Sequence, residues 1–457
     1  MTLRSAAAVA AWLFLGGATA LEAQTASVPQ EVSLPQAVAV ALQNNPTLQA
    51  AKSYAEAVRH AVAGARAGYY PRLDFSEGFA RSNNPVFVFS SKLTQRQFTA
   101  QDFELGALNY PPPIDNFRTQ FAAAMPLYDA GQTSRQVRDA RLDSQGAQRG
   151  AERTSQEVIY NVISAYLAQL LAQQSVGVAE ASVKSTAEDL ARAQARQGQG
   201  QALMSDVLSA QVQLAQANEE LIRARNEAAT AQASLDVAMG LPEDAPEQAQ
   251  GPLRDTTFEN GTLEDRQHRA LDLRPDYQQA LIGQEKAANA TAGARAQFLP
   301  TLNIFGSWEQ DNESFAAHGG NNWAAGATLN LNLFDGGARR AQLAETHARQ
   351  RQAEALRTQM AAGIRLQVRQ AYLNLTAARQ RVDVSRDAAS QAEESLTILR
   401  NRYQAGLATI TDLLGAETAH ARAQRSFLSA VYDYRIAYAT LELATGELAP
   451  ESAAVVR

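Results

Sequence analysis

Two periodicities of hydrophobic residues along the chain predict two kinds of element. Four short segments carry apolar residues at every second position, which is the period of a β-strand with one apolar face. These segments are 71–81, 117–127, 302–309 and 322–333. Four much longer tracts lack proline and place apolar residues three or four positions apart, which indicates amphipathic helices. The predicted helices are 131–197, 205–239, 338–404 and 411–443.

The whole pattern occurs twice. The motif Gly64-Ala65-Arg66-Ala67 recurs 229 residues later, whereas Leu127-Tyr128-Asp129 recurs 206 residues later as Leu333-Phe334-Asp335. The offset falls by 23 residues, which places an insertion in the first copy, within Asn83 to Asn116. Pro111-Pro112-Pro113 precludes regular structure inside that insertion. Each copy is therefore a short helix, a strand pair and a long helical hairpin.

The N-terminal residues have the pattern of a secretory signal peptide. Arg4 precedes an apolar stretch, and Ala18-Thr19-Ala20 supplies small residues for cleavage. A single membrane anchor is the alternative, but the stretch from Ala6 to Leu15 is about half the roughly 20 residues that a spanning helix needs. We therefore expect an exported chain whose membrane-spanning part is made of strands. The expected divisions are a signal peptide (1–20), a first repeat (21–240), a linker (241–261), a second repeat (262–446) and a C-terminal tail (447–457).

The predicted strands are about ten residues long, the length of a tilted strand that crosses a bilayer. An ordinary sheet with one wet face fits the strands equally well. The helical tracts favour the membrane alternative, because helices of roughly 100 Å need lateral neighbours in a coiled coil or a ring. Closed membrane barrels have about eight strands or more, and an open edge is costly in lipid. Four strands per chain therefore require a homo-oligomer with cyclic symmetry, and three chains would supply twelve strands.

Composition excludes several classes of protein. The formal charge of −6 argues against a nucleic-acid-binding protein, which usually carries a basic face. The absence of cysteine excludes a disulfide framework, thiolate metal sites, a cysteine nucleophile and a cysteine-anchored lipoprotein. The five histidines are scattered, and no phosphate-binding or dinucleotide-binding loop is present. We therefore expect neither an enzyme nor a cofactor or metal site.

Paired motifs at the turns of the two helical hairpins carry a family resemblance. They are Gly200-Gln201-Ala202-Leu203-Met204-Ser205-Asp206-Val207-Leu208 and Tyr403-Gln404-Ala405-Gly406-Leu407-Ala408-Thr409-Ile410-Thr411-Asp412-Leu413-Leu414. With Leu333-Phe334-Asp335-Gly336-Gly337 and the duplication, the chain resembles the TolC family of outer membrane efflux proteins over nearly its whole mature length. The resemblance implies a mostly α-helical fold with a β-barrel segment: a trimer with a twelve-stranded outer membrane barrel and a periplasmic tunnel of twelve helices.

The resemblance also implies a function and its partners. The trimer would be the passive exit duct of a tripartite efflux or type I secretion system in the bacterial outer membrane. A periplasmic membrane-fusion adaptor would connect it to an inner-membrane pump of the RND, ABC or MFS type. The alternative is a periplasmic coiled-coil or adaptor protein without a barrel. The alternating strands and the insertion at a strand-hairpin tip argue against that alternative.

Site residues follow from the resemblance at matching positions. The adaptor-facing tips correspond to Gly200, Gln201, Ala202, Leu203, Gly406, Leu407, Ala408 and Thr409. Asp206 and Asp412 correspond to acidic residues near the periplasmic entrance, and Tyr403 to a tyrosine in the hydrogen-bond network of the closed state. The sequence departs from the best-known member of the family at two positions, where Ala408 stands in place of a gating arginine and Gly415 in place of a second acidic residue. Arg402 is a candidate substitute for that arginine.

The same turn residues also have a simpler interpretation, in which they shape the turn and cap the helices. Glycine permits the positive φ that a chain reversal between helices needs. We expect Ser205 and Thr411 to be the N-caps of the returning helices, with Asp206 and Asp412 in the first turn, where the helix dipole favours acidic residues. Under threefold symmetry the two aspartates would also form acidic rings that attract cations and raise the aspartate pKa values.

Overall fold

The computed structural model describes residues 31–245, 248–315 and 318–457. The predicted signal peptide lies outside these residues. Within the described first half, the elements in chain order are β1 (Glu31–Val32), α1 (Leu34–Asn44), α2 (Pro46–Arg66), β2 (Arg72–Ser82), α3 (Pro85–Thr94), α4 (Leu105–Asn109), β3 (Ile114–Tyr128), α5 (Gln132–Gly198) and α6 (Met204–Met239). The second half contains β4 (Gln248–Ala249), α7 (Leu263–Leu273), α8 (Pro275–Ala296), β5 (Thr301–Asn312), β6 (Gly320–Asn330), α9 (Ala338–Gln404), α10 (Ile410–Thr445) and α11 (Ala453–Val456).

The long elements of the two halves match in length. The helices α5 and α9 have 67 residues each, and α6 and α10 have 36 residues each. At 1.5 Å per residue, α5 and α9 are roughly 100 Å long. Asp129 and Asp335 accept hydrogen bonds from the backbone N–H groups of Gly131 (2.9 Å) and Gly337 (3.0 Å), where the strands pass into these helices. The same aspartate-to-glycine hydrogen bond therefore closes the turn at both strand-to-helix junctions.

The four long strands form one antiparallel sheet in the order β2-β3-β5-β6. Residues that pair directly across strands point to the same face. One face, here the aromatic face, carries the row Phe75, Phe121, Trp308 and Trp323. The opposite face, here the polar face, carries the row Gly78, Arg118, Asp311 and Gly320. The aromatic face is exposed, since Trp323 is 78% and Phe75 62% accessible to solvent. These residues therefore do not pack into a core of the single chain.

The helices pack side by side in a layer. Near the sheet the lateral order is α2-α5-α8-α9, and further from the sheet it is α6-α5-α10-α9. The main core lies at the middle of the layer, where α1 and α7 pack onto α5, α9 and α10. The predicted linker contributes to this core, because Phe258 stacks on Tyr438 with ring centroids 3.9 Å apart. The C-terminal tail does so too, through Leu448 and Val455.

One helix among the described residues, α5, is long and apolar enough in part to cross a membrane by length and composition. Its apolar positions include Ile159, Val162, Ile163 and Leu167, which are fully buried in the main core. Core packing therefore accounts for this apolar stretch, so it is no evidence for a membrane helix.

Several sequence predictions need correction: β3 begins three residues earlier than predicted, and β5 ends three residues later. The insertion is more ordered than the proline triplet suggests, since it folds into α3, a 3-10 turn (Ala100–Phe103) and α4 before the irregular Pro111–Pro113. The strand β6 ends at Asn330, three residues before the last residue of the apolar alternation. The returning helices begin one residue earlier than predicted, at Met204 and Ile410.

Candidate functional site: the helix-hairpin tips

The turns between α5 and α6 and between α9 and α10 have the same backbone geometry. Gly200 (φ +72°) and Gly406 (φ +75°) both adopt the left-handed conformation, as predicted. The N–H of Gln201 donates to the carbonyl of Arg196 (2.8 Å), and the N–H of Leu407 donates to the carbonyl of Arg402 (2.8 Å). These six-to-one bonds define a Schellman motif, which satisfies the last carbonyls of each descending helix. Both chain reversals are therefore fixed locally.

The predicted N-caps are wrong by two residues. The caps are Leu203 and Thr409, whereas Ser205 and Thr411 lie within the first turn of α6 and α10. Thr409 forms a reciprocal capping box: its Oγ1 accepts from the N–H of Asp412 (3.2 Å), and the Asp412 carboxylate accepts from the N–H of Thr409 (3.0 Å). Asp three residues after the cap completes such a box as Glu does, and sequence reasoning missed this signal.

Asp206 and Asp412 each stabilise the first turn of the helix that follows their own tip. The Asp206 carboxylate accepts a hydrogen bond from the N–H of Leu203 (3.1 Å), so the first tip has half of the box seen at the second. Hydrogen bonds from the hydroxyl and N–H of Thr409 lower the pKa of Asp412, and the nearby Arg402 acts in the same direction. Within one chain, therefore, the pKa of Asp412 moves opposite to the rise expected for an acidic ring. The capping function explains both aspartates without a partner chain.

Tyr403 is tied to the neighbouring hairpin through Arg196. The Arg196 guanidinium lies 4.7 Å from the Tyr403 ring centroid and donates to the carbonyl of Gln404 (2.9 Å). Tyr403 packs with Leu396, Leu413 and other apolar residues of the second tip, and this burial raises its pKa. The structure thus brings Tyr403 and Arg196 together. The duplication contains a sequence signal for Arg196, because an arginine, Arg402, also occupies the equivalent position 206 residues later.

Both tips expose an apolar side chain to a similar extent. Leu203 and Leu407 are 70% and 69% exposed, so both tips present a bare apolar side chain. Ala408 is half-buried beside the second-tip cluster, and Gly415 has open space around its α-carbon. A Cβ added at position 415 would therefore meet nothing within 4 Å inside the chain.

A buried pair of carboxyl groups lies between α5 and α10, inward from the tips. Asp189 is fully buried and Glu417 nearly so. Arg192 donates to Oδ1 of Asp189 (2.7 Å), while Ser185 and Arg400 donate to Oε1 of Glu417 (2.6 and 3.0 Å). Burial, together with the adjacent carboxyl group of Glu417, raises the pKa of Asp189 to about 7. Titration of Asp189 near neutral pH therefore affects the contact between the hairpins.

Sequence reasoning missed this pair, although the duplication contains a signal. The positions equivalent to Asp189 and Glu417 in the other copy are Ser395 and Gln211, which carry no charge. A charged residue that replaces a neutral one at a helix-packing position marks a contact that the two copies do not share. A polar residue also replaces an apolar one at His420, whose Nε2 is buried without a partner in the described chain, since Leu214 is its equivalent.

The chain is similar to known proteins over most of its length. A family model described as outer membrane efflux protein matches residues 37–241 and 267–447. Protein CyaE of Bordetella pertussis is 27% identical over 425 residues, which cover 92% of this chain and 85% of that protein. The alkaline protease secretion protein AprF of Pseudomonas aeruginosa is 26% identical over 418 residues, which cover 90% of this chain and 83% of that protein. The CmeC outer membrane channel of Campylobacter jejuni has a TM-score of 0.78 at 16% identity, covering 92% of this chain and 87% of that one.

A sheet with an exposed aromatic face joined to a layer of very long helices is the architecture of an outer membrane duct with a periplasmic extension. The chain belongs to the outer membrane efflux protein family, since the family model matches well over half of its residues. Its fold is that of the TolC-like channels, as the CusC structure also shows (TM-score 0.76, 19% identity, covering 91% of this chain and 92% of that one). The protein is thus an outer membrane exit duct with its helical part in the periplasm, and the members of its family are channels rather than enzymes.

Proposed function

We propose that three copies of the chain close one twelve-stranded barrel and one twelve-helix tunnel. The observation that carries the proposal is the exposed aromatic face of a sheet whose outer strands, β2 and β6, have no further partner among the described residues. The strands alternate in direction across β2-β3-β5-β6, so β6 of one copy can pair antiparallel with β2 of the next. Closure in this way satisfies the edge hydrogen bonds that lipid cannot.

The helical layer supports the same assembly. Its outer helices expose large apolar residues, among them Val212 and Ile222 on α6 and Leu373 and Val384 on α9. A ring of three copies would cover these edges, because α6 of one copy would meet α9 of the next. In this arrangement the repeats 21–240 and 262–446 each supply one strand pair and one helical hairpin, joined by the linker 241–261. The matched helix lengths of the two halves support this division.

We infer that the tips dock a periplasmic adaptor, which couples the duct to an inner-membrane pump. The docking residues are Gly200, Gln201, Ala202, Leu203, Gly406, Leu407, Ala408 and Thr409. The bare side chains of Leu203 and Leu407 support this role, since they lie at the end furthest from the sheet and are exposed. A photo-crosslinking residue at Leu407 should capture an adaptor in native envelopes, whereas the same residue at Val86, at the opposite end, should not.

We propose that Asp206, Asp412 and Tyr403 shape the periplasmic entrance. Tyr403 would act through Arg196, which holds it against α5. Charge and capping can be separated at Asp412, because Asp412→Asn keeps an acceptor for the Thr409 N–H while Asp412→Ala does not. A loss of cation selectivity in single-channel recordings of both variants supports an acidic ring. A loss confined to Asp412→Ala assigns the effect to the cap instead.

The relatives favour exported proteins as cargo. AprF and the proteases secretion protein PrtF of Dickeya chrysanthemi are named for protease secretion. The outer membrane efflux protein BepC of Brucella suis is named for efflux and is similar at 24% identity, so efflux of small molecules is the second candidate. Deleting the gene should remove specific proteins from the culture medium if the first candidate holds, and should sensitise cells to toxic compounds if the second does.

Detergent-extracted protein tests the channel itself. The expected result is a heat-modifiable trimer that forms conducting pores in a planar bilayer. A monomer that is released from the periplasm without detergent would contradict the proposal.

A further inference from the structure

The insertion 83–113, here called the lid, is a folded unit with its own aromatic cluster. The ring of Phe98 contacts those of Phe89 and Phe103 edge to face, with centroids 4.7 and 5.0 Å apart. Lys92 pairs with Asp102 at 2.6 Å, and this ion pair together with the N–H of Thr99 lowers the pKa of Asp102 to about 2. The lid lies at the end of the sheet opposite to the long helices, which is the extracellular end of the duct.

Gly320 shows on which face of the sheet the lid lies. Gly320 pairs with Asp311, and Asp311 pairs with Arg118, so all three point to the polar face. A Cβ added to Gly320 would lie 1.9 Å from the carbonyl oxygen of Thr94, at the end of α3. The lid backbone therefore crosses the polar face, on the side opposite to the aromatic row.

A buried polar network anchors the lid in this position. The side-chain amide of Gln95, which is 3% exposed, donates to Oδ1 of Asn116 and to the carbonyl of Asp115, both at 2.8 Å. Asn116 in turn donates to Oδ1 of Asp311 (2.6 Å). Oε1 of Gln95 and Oδ2 of Asp311 are buried and have no partner in the described chain, so the anchor is incompletely satisfied. An anchor of this kind weakens the closed position and favours a lid that can be displaced.

We propose that the lid is a gate inside the extracellular mouth, and that it limits the size of what leaves the duct. The proposal rests on the trimeric barrel, because the polar face is the lumen wall only if the aromatic face meets lipid. Three lids then project into one lumen. Their exposed apolar residues, Val86, Leu105 and Tyr110, surround the exit path. When the hydrogen bond between Gln95 and Asn116 breaks, the lid moves away from the polar face of the sheet.

The absence of cysteine in the chain allows a direct test with single cysteines. Ser307 and Gly306 are adjacent on β5 and point to the polar and aromatic faces. Intact cells carrying Ser307→Cys or Gly306→Cys would be treated from outside with a small and a large membrane-impermeant maleimide. Val86→Cys, on the exposed surface of the lid, provides the reference rate. Trimer formation on a heat-modifiable gel is checked for every variant.

Gly320→Ala is the perturbation, since its methyl group must displace the lid. Gly78→Ala is the matched control: it lies in the same row and on the same face, with nothing within 4 Å of the added carbon. With the native lid, we expect Ser307→Cys to react with the small reagent and to exclude the large one. Gly320→Ala should raise its rate with the large reagent about tenfold or more by shifting the lid population. Gln95→Ala should act in the same direction, and Gly78→Ala should leave the rate unchanged.

The outcomes separate the lid from the barrel. Fast reaction of Ser307→Cys with the large reagent under the native lid, or equal rates in the Gly320→Ala and Gly78→Ala backgrounds, would overturn the gate. Replacing residues 85–110 by a short flexible linker gives a second check, because an unchanged rate there also overturns it. Reaction of Gly306→Cys with either aqueous reagent would instead overturn the lipid-facing barrel on which the gate rests.

Discussion

The contact between the two hairpins should weaken as the pH rises, because of Asp189. The raised pKa means that Asp189 keeps its proton in the packed state at pH values where a solvated aspartate has lost it. Below pH ~4 both states are protonated and the packed state bears no cost. Between about pH 4 and pH 7 the open state has released one proton more, so packing loses about 1.4 kcal/mol per pH unit. Above about pH 7 the cost is complete and constant, at roughly 4 kcal/mol at most.

Asp189→Asn removes the titration while keeping the shape of the side chain. Hydrogen exchange of peptides around residues 185–193 and 413–420 reports the local opening free energy, after correction for the intrinsic rate at each pH. We expect this free energy to fall with pH in the wild type and to be flat in Asp189→Asn. Glu188→Gln is the matched control, because Glu188 is the neighbouring, exposed carboxylate that pairs with the same Arg192. Equal pH slopes in the wild type and Asp189→Asn would refute the reasoning.

Further predictions concern stability. Thr409→Ala removes the capping box, which should lower the local stability at the start of α10 by about 1 kcal/mol and so speed hydrogen exchange there. Thr411→Ala should have little effect. Leu167→Ala opens a cavity in the main core and should lower the free energy of unfolding by roughly 3 kcal/mol. A lower denaturant midpoint would report this loss. Ala130→Gly relieves a left-handed residue (φ +53°) and should gain about 1 kcal/mol, while Gly336→Ala at the equivalent position of the second copy should lose a similar amount. An effect of equal sign in the last two variants would contradict the backbone argument.

Much of the architecture was predictable because it follows from local periodicity. The 67-residue helices have no proline and a continuous apolar stripe, so their extent was predicted to within a residue or two. The left-handed glycines at 200 and 406 were predictable because glycine takes that conformation at no steric cost. The caps were misplaced, since Thr409 and Thr411 are both good cap residues and only the backbone of Thr409 is extended.

The sequence by itself determined the duplication, the lengths of the two longest helices and the glycine turns at the tips, because each of these depends on residues that are neighbours along the chain. Only the tertiary structure brought Arg196 to Tyr403 and Asp189 to Glu417, across more than 200 residues of sequence. It also placed the lid on the polar face, through a glycine whose missing side chain makes room for it. These contacts depend on which helix faces and strand rows meet, and periodicity alone does not specify the partner of a face.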